Sequence, residues 1–490
     1  MDPKLMSATA RRDSGKGGHV ADIVVLGGGP TGLATAILLA QQGLDVVVLD
    51  RDEAAPNDPE AAWESWQRRS VGQFRLVHFL QPGGRGLIEQ HLPAVFSEME
   101  ALGAVRYNAA EAQARLIPDG AGKDIDLTRF ETMTTCRRPL IEYAYAAAAR
   151  KTPGVEVRNG CPAAGLVTGS EAIPGVPHVT GVRTASGDTI DARVVVDAAG
   201  RRSPLSAMIE AAGGHQSPEH AFEAGFVYNT QYYRGASLPE QRDDLLSAIG
   251  SISVLTIPGD NGWWSVTLYH SPKDKLMRNV RDPKIFDRVV RALPNHAHWA
   301  DGAPQGDSFS MASTANTTRQ FVVDGVPCAT GVVPVGDAWG FTNPSIGRGI
   351  TLGLMHAVDI APAIAEHIDE PRRLAAEWTR RTEERAARWH ASTVDFDRIR
   401  APEVEASLRG LPDPFDPSDP SVAGSRAFAS ASHYDPQVLQ WFFEVVGCLT
   451  LPDEVIGRDG VFERVLDVAL STPPYSSPGP TRTELEELLV

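Results

Sequence analysis

Residues 21–50 read ADIVVLGGGPTGLATAILLAQQGLDVVVLD. An apolar run, Ile23 to Leu26, enters Gly27-x-Gly29-x-x-Gly32. A helical pattern follows and stops at Gly43, and a second apolar run, Val46 to Leu49, ends in Asp50. This is a complete strand–turn–helix–strand unit with an acid at its far end, and each part suits a dinucleotide. Gly27 permits the tight turn, Gly29 lets the backbone approach a pyrophosphate, and Gly32 lets the helix pack close on the strand. Pro30 fits the first helical position and Gly43 the C-terminal cap. The free N–H groups of the helix start face the phosphates, and Asp50 is placed to hold ribose hydroxyls. Thr31 and Arg51, beside these residues, are assigned to the same cofactor site.

Working outward, 490 residues allow two or more domains. The net charge of −16 and the lack of a basic stripe argue against nucleic acid and against anionic membrane surfaces. The four cysteines (Cys136, Cys161, Cys328 and Cys448) are scattered without a CxxC pair, which suggests free thiols in a reducing, cytoplasmic compartment. Stable membrane insertion is not expected, because the longest apolar run, Gly349 to Ile368, is interrupted by His356 and Asp359. Residues 1–20 are polar and lack the apolar core of a signal peptide, so a disordered tail is expected. His78 has no companion at metal-ligand spacing, and no metal is expected.

Further along, 86–103 has a helical pattern interrupted at Pro93, and 138–150 has a strong one. Val155–Arg158, Ala163–Val167, Val179–Thr184 and Val194–Val196 have the character of short strands. Residues 221–270 alternate and are rich in Val, Tyr, Phe, Trp and Ile, as antiparallel strands are. Val332 to Val335 then runs into Gly336-Asp337, and the pattern is helical from about 355 to 400 and again over 435–470. The expected class is α/β: a Rossmann-like domain interleaved with a mostly antiparallel sheet domain, then a helical region. The expected boundaries are 21–205 with 325–370 for the first domain and 206–324 for the second. The helical region takes 371–490, with a Pro-rich connection at 410–424.

Three later motifs specify the dinucleotide: Cys136-Arg-Arg138-Pro-Leu140-Ile-Glu142, Val196-Asp197-Ala-Ala-Gly200-Arg-Arg-Ser203-Pro204, and Gly336-Asp337-Ala-Trp-Gly-Phe-Thr-Asn-Pro344-Ser-Ile-Gly347-Arg-Gly349. With the N-terminal glycine motif, their order and spacing over roughly residues 20–370 resemble the FAD-dependent monooxygenases of the p-hydroxybenzoate hydroxylase-like fold. The segment Arg68 to His78 is most similar to the polyene/polyether epoxidase branch. The resemblance implies FAD as cofactor and NAD(P)H as direct or indirect electron source. It implies Asp337 on the ribityl/ribose region and Arg138 at a helix start near the FAD. Pro344, Gly347, Arg348 and Gly349 then form the ring-side loop. The helix beginning near Gly349 would aim its N–H dipoles at the flavin. Arg75 is also assigned to the cofactor site; a surface salt bridge is its alternative. Tyr228, Tyr232, Trp263 and Trp264 are expected to be strand packing, with a pocket-lining role as the alternative, and Trp441-Phe442-Phe443 a helix docking face.

The implied function is insertion of one atom of O2 into a small apolar organic substrate, by hydroxylation or epoxidation, through a flavin C4a-(hydro)peroxide. No side-chain nucleophile is required. Family members usually carry an Asp-Gly pair in the middle motif, linked to FAD and NAD(P)H. Here Ala199 stands at the Asp position, so a separate flavin reductase becomes a candidate partner. A flavin-dependent reductase or dehydrogenase of the isoprenoid saturase type is the alternative. Halogenation ranks lower, because no Lys occurs between Lys16 and Lys123 and the Trp-x-Trp-x-Ile-Pro pattern is absent.

Overall fold

The computed structural model describes residues 20–123, 125–416 and 419–490; the tail expected over residues 1–20 lies outside them but for its last residue. The first sheet begins with β1 (Val20–Leu26) and β2 (Val46–Leu49), joined by α1 (Pro30–Ala40). The two strands are parallel, with Val24 beside Val47. Val46 to Leu49 are all buried, as suits a parallel sheet covered on both faces. Helix α1 has Pro at its start, and Gly43, at φ 85, turns the chain after it. The expected helix broken at Pro93 is a pair, α2 (Pro82–His91) and α3 (Pro93–Ala101). Helix α4 (Arg138–Lys151) then leads to β3 (Val155–Arg158), β4 (Ala163–Ile173), β5 (Val176–Thr184) and β6 (Thr189–Asp197). The parallel order is β3-β2-β1-β6, and β5 and β4 continue antiparallel from the start of β6.

The chain next builds a second, antiparallel sheet from β7 (Glu219–Arg234), β8 (Leu246–Ile249), β9 (Ile252–Pro258), β10 (Trp263–His270) and β11 (Phe309–Arg319). It then returns to the first sheet as β12 (Val332–Pro334), parallel to the end of β6, with Val333 beside Val196. It leaves again at once as β13 (Gly340–Phe341), which pairs with β11. The second sheet thus runs β8-β9-β10-β7-β11-β13, with Ala303–Pro304 also on β7.

Helices follow: α5 (Gly349–His367), α6 (Pro371–Arg381), a π-helical turn (Thr382–Ala387), α7 (Arg388–Leu408), α8 (Pro420–Ala431), α9 (Pro436–Val446), α10 (Val461–Ser471) and α11 (Arg482–Leu488). Among the described residues, no helix is long and apolar enough to cross a membrane. One expected boundary needs correction. Residues 325–370 do not belong wholly to the first sheet, because β13 needs the edge of β11 for its backbone hydrogen bonds. Residues 371–490 are mainly helical, as expected, and their last helix also packs on the second sheet. Helix α11 has a capping box at Thr481 and Glu484 and buries Leu485 and Leu489 in the core of the second sheet, with Phe286, Val289 and Trp299. The Pro-rich connection 410–424 ends early, where Asp419 caps α8.

A Cβ placed on Gly32 would overlap the Gly27 carbonyl oxygen, backbone that cannot swing aside. Gly32→Ala is therefore expected to destabilise the fold by about 1–3 kcal/mol, read as a lower urea midpoint at unchanged slope.

Candidate active site

The open end of the first sheet holds the glycine turn. Gly27 sits at φ 103, where an L side chain is strained and where a Cβ would strike the Ala198 carbonyl. Gly29 faces open space. Gly27, Gly29, Thr31, Asp50 and Arg51 all line one cavity of about 1910 Å³. That exceeds the roughly 300–1,000 Å³ of a drug-sized site, so it has room for a dinucleotide and a second ligand. Thr31 fills the space that Gly336 and Gly353 leave by lacking side chains, which lets α1 approach α5.

Asp50 is more heavily engaged than the sequence indicated. It accepts from Gly28 N–H at 2.6 Å and from Asp52 N–H at 2.8 Å, and it pairs with Arg68. Arg68 is buried and also meets Asp52 and Glu142, the latter at 2.6 Å. Burial alone would lower its pKa, but the carboxylates reverse this and raise it. Glu142 binds Arg138 in turn, at the first position of α4. Arg138 donates from Nη1 to His78 Nε2 at 2.7 Å. Burial and the Arg138 cation push His78 down to about 3. The ring is therefore neutral, with Nδ1–H free to donate to the Leu76 carbonyl at 3.0 Å. Arg138 and His78 both line the cavity.

Arg75 is a correction. The 66–78 segment is a series of turns. Arg75 donates to the Trp63 and Trp66 carbonyls and lies over the Trp63 ring. It is absent from the cavity wall and acts as a brace behind it.

Asp337 follows β12 and lines the cavity, and its carboxylate accepts no hydrogen bond from the described residues. Burial pushes it up to about 6, against the pull of Arg138, Arg201 and Arg319. Its turn is held from behind by two residues the sequence did not single out. His356, buried in α5, accepts the Gly336 N–H on Nδ1 at 3.1 Å while Nε2–H meets Thr382 Oγ1 at 3.0 Å. Arg319 donates to the carbonyls of Ala338 and Arg201, both at 2.9 Å, joining this turn to the one after β6. Asp197 is fully buried beneath that second turn and accepts from Ala199 N–H and Ser203 Oγ–H. It shapes the loop and does not face the cavity; Ala199 and Arg201 do.

The loop from Asn343 to Gly349 forms the next wall, and Pro344, Gly347, Arg348 and Gly349 all line it. Gly347, at φ 65, makes the turn, and α5 starts at Gly349. Gln81 Nε2–H donates to the Ile346 carbonyl at 3.0 Å, and Ser345 Oγ–H to buried Asp397 at 2.6 Å. Tyr228 Oη–H reaches Asn343 Oδ1 at 2.7 Å from β7. Tyr228 is thus a wall residue, while Tyr232, Trp263 and Trp264 remain packing. Leu246, Leu255 and Met311 continue the wall in apolar fashion. Phe442 and Phe443 join it too, a correction to their reading as a docking face alone, whereas Trp441 packs among the C-terminal helices.

The chain belongs to the FAD-binding domain family, whose model matches residues 20–393; it is an FAD-dependent oxidoreductase. Its fold is shared by several solved structures. PqsL of Pseudomonas aeruginosa, a probable FAD-dependent monooxygenase, is 15% identical over 79% of this chain and 96% of its own, with a TM-score of 0.57. The anhydrotetracycline hydroxylase OxyS of Streptomyces rimosus is 16% identical over 88% and 76%, with a TM-score of 0.53. The Diels-Alderase PyrE3 of pyrroindomycin biosynthesis is 17% identical over 87% and 80%, with a TM-score of 0.57. No curated protein sequence matches the chain.

Two substitutions test this site. Because the folded-state value of Asp337 lies above the ordinary 3.8, its ionisation costs stability as pH rises from about 4 through 6. Asp337→Asn apoprotein is expected to outlast the unsubstituted apoprotein in urea at pH 8, by a margin that vanishes near pH 4, while its FAD occupancy falls. Arg75→Ala is expected to leave FAD affinity, measured by flavin fluorescence, within about twofold of the starting protein, since a half-buried brace outside the cavity wall contributes little to a ligand it does not touch.

Proposed function

We propose that the protein is an FAD-dependent monooxygenase that inserts one oxygen atom from O2 into an apolar organic substrate, by hydroxylation or epoxidation. The observation that carries this reading is the continuity of the cavity. One space runs from the glycine turn, past Asp337 and the Asn343–Gly349 loop, to the apolar face of the second sheet. The residues present fit FAD: a turn that tolerates no side chain at Gly27, an open approach at Gly29, and a hydroxyl acceptor at Asp337 left without a donor. Gly27, Gly29, Thr31, Gly32, Asp50 and Arg51 would hold the ADP half, with Gly32 acting through helix packing. Arg138, Asp337, Gly347 and Gly349 would hold the flavin half. When bound and reduced, FAD supplies the electrons that activate O2.

The protein's own part is binding, orientation and exclusion of water. Arg51 and Arg201 offer positive charge to phosphates. The carbonyl-rich Asn343–Gly349 loop is fixed by Gln81, Asp397 and Tyr228, so the ring's neighbours are preorganised. Leu246, Leu255, Met311 and Phe442 keep the reaction space dry. The electrons come from NAD(P)H, directly or through a separate flavin reductase; Ala199 in place of an acid supports the second route. A cytoplasmic location, supported by the four unpaired cysteines, belongs to the same reading.

The test is turnover under 18O2 with a panel of apolar aromatic and polyene substrates. Each is supplied with NADPH or NADH alone and again with a flavin reductase. One 18O atom per product molecule is expected. Substrate consumed with a mass change of two hydrogens and no 18O would instead establish a reductase or dehydrogenase.

A further inference from the structure

Helix α8 packs chiefly against α9 and α10. Toward the rest of the molecule it is held by polar struts. Arg426 donates to Glu403 of α7 at 2.6 Å and also to Asp413. Just beyond the helix, His433 Nε2 lies 3.3 Å from an Asp244 carboxylate oxygen, and its ring stacks on Tyr475 at 3.5 Å. Arg426, Glu403, His433, Asp244 and Tyr475 all line the cavity, so the space runs between α8 and the body of the protein. Apolar wall is supplied there by Ala423 and Gly424 of α8, Val465 and Leu466 of α10, and Phe396 and Ile399 of α7. Ile456, Phe462 and Leu466 line the cavity and are exposed as well, so it opens to solvent between large apolar side chains. Gly424 is the fifth of the twelve residues of α8, a place where glycine weakens a helix relative to alanine. Its φ is not left-handed, and nothing lies within 4 Å of where its Cβ would stand. Neither backbone conformation nor protein packing calls for glycine here; the room it leaves belongs to the cavity.

We propose that this stretch of the cavity is the far part of the substrate site: the substrate carries an extended apolar chain that lies under α8, and Ala423 and Gly424 limit the length of chain accepted. Hydrocarbon walls that face no protein partner gain by being covered with hydrocarbon. The cofactor is a poor occupant, because its phosphates and hydroxyls find their partners at the glycine turn, Arg51, Arg201 and Asp337. Room is not the constraint. The cavity, at about 1910 Å³, is nearly twice the roughly 1,000 Å³ at the upper end for a drug-sized ligand, so a chain fits beside the dinucleotide. The apolar rim at Ile456, Phe462 and Leu466 suits the entry of such a chain.

This inference rests on the monooxygenase reading for the word substrate, but its test is binding, so the two can fail separately. FAD-loaded protein is titrated calorimetrically with the straight-chain 1-alkanols from butanol to decanol. A single site is expected, with affinity rising about three- to fourfold per added methylene through decanol, as burial of each CH2 against an apolar wall requires. Gly424→Phe and Ala423→Phe, each checked for retained FAD, should weaken decanol at least about tenfold and leave butanol within about twofold, because the added ring takes space only at the far end. The series in the unsubstituted protein decides without any variant: an affinity that levels off before decanol, more than one site, or no binding overturns the proposal. Undiminished decanol binding in either FAD-retaining variant overturns it too, as does equal weakening of butanol and decanol. Oxygenation of a short substrate alongside level alkanol affinities would remove this inference and leave the monooxygenase reading standing. Chain-length-dependent binding with no 18O incorporation would do the reverse.

Discussion

The ion-pair chain through Arg68 is the constraint on which the cleft depends. Asp50 at the end of β2, Asp52 just after it, Arg68 from the turns beyond, and Glu142 and Arg138 from the first turns of α4 are all buried and all charged. None can stay in that low-dielectric place alone. Breaking a buried pair typically costs about 3–5 kcal/mol because the remaining charge has no solvent. The chain therefore locks three separate pieces of sequence into one wall, and the end of the line, Arg138 with His78, is delivered to the cavity as a fixed cation and a neutral ring. A looser arrangement of the same residues would leave charges stranded.

What could be read in the sequence follows from this. The glycine turn, α1, β2 and the Gly336-Asp337 turn were legible because backbone conformation at those places depends on adjacent residues: glycine where φ is positive, proline at a helix start, valines where both faces are buried. The interleaving was legible too, because the apolar run before Gly336 repeats the character of β1. Arg75 and Arg68 show the limit. They lie seven residues apart in one basic segment, yet one enters the ion-pair chain and the other caps carbonyls behind Trp63. In a run of turns there is no period from which to read a side chain's direction.

Longer-range partners were equally hidden. His356 sits in an apolar helical run where it reads as an interruption, but it holds the Gly336 N–H twenty residues back. Asp397 fixes the ring-side loop from α7, and Phe442 meets the cavity from α9. Each contact spans elements whose relative placement only the packed fold defines.

The burial of Leu485 and Leu489 among Phe286, Val289 and Trp299 bears on the order in which the protein can be made. The first sheet has all its strands once residue 334 has left the ribosome. The second sheet has its last strand by residue 341, with Phe286, Val289 and Trp299 already packed on it, yet Leu485 and Leu489 join that core only almost 150 residues later. During translation both sheets can therefore form before the last two leucines of the second core arrive, and completion of that core waits for residues 485–489.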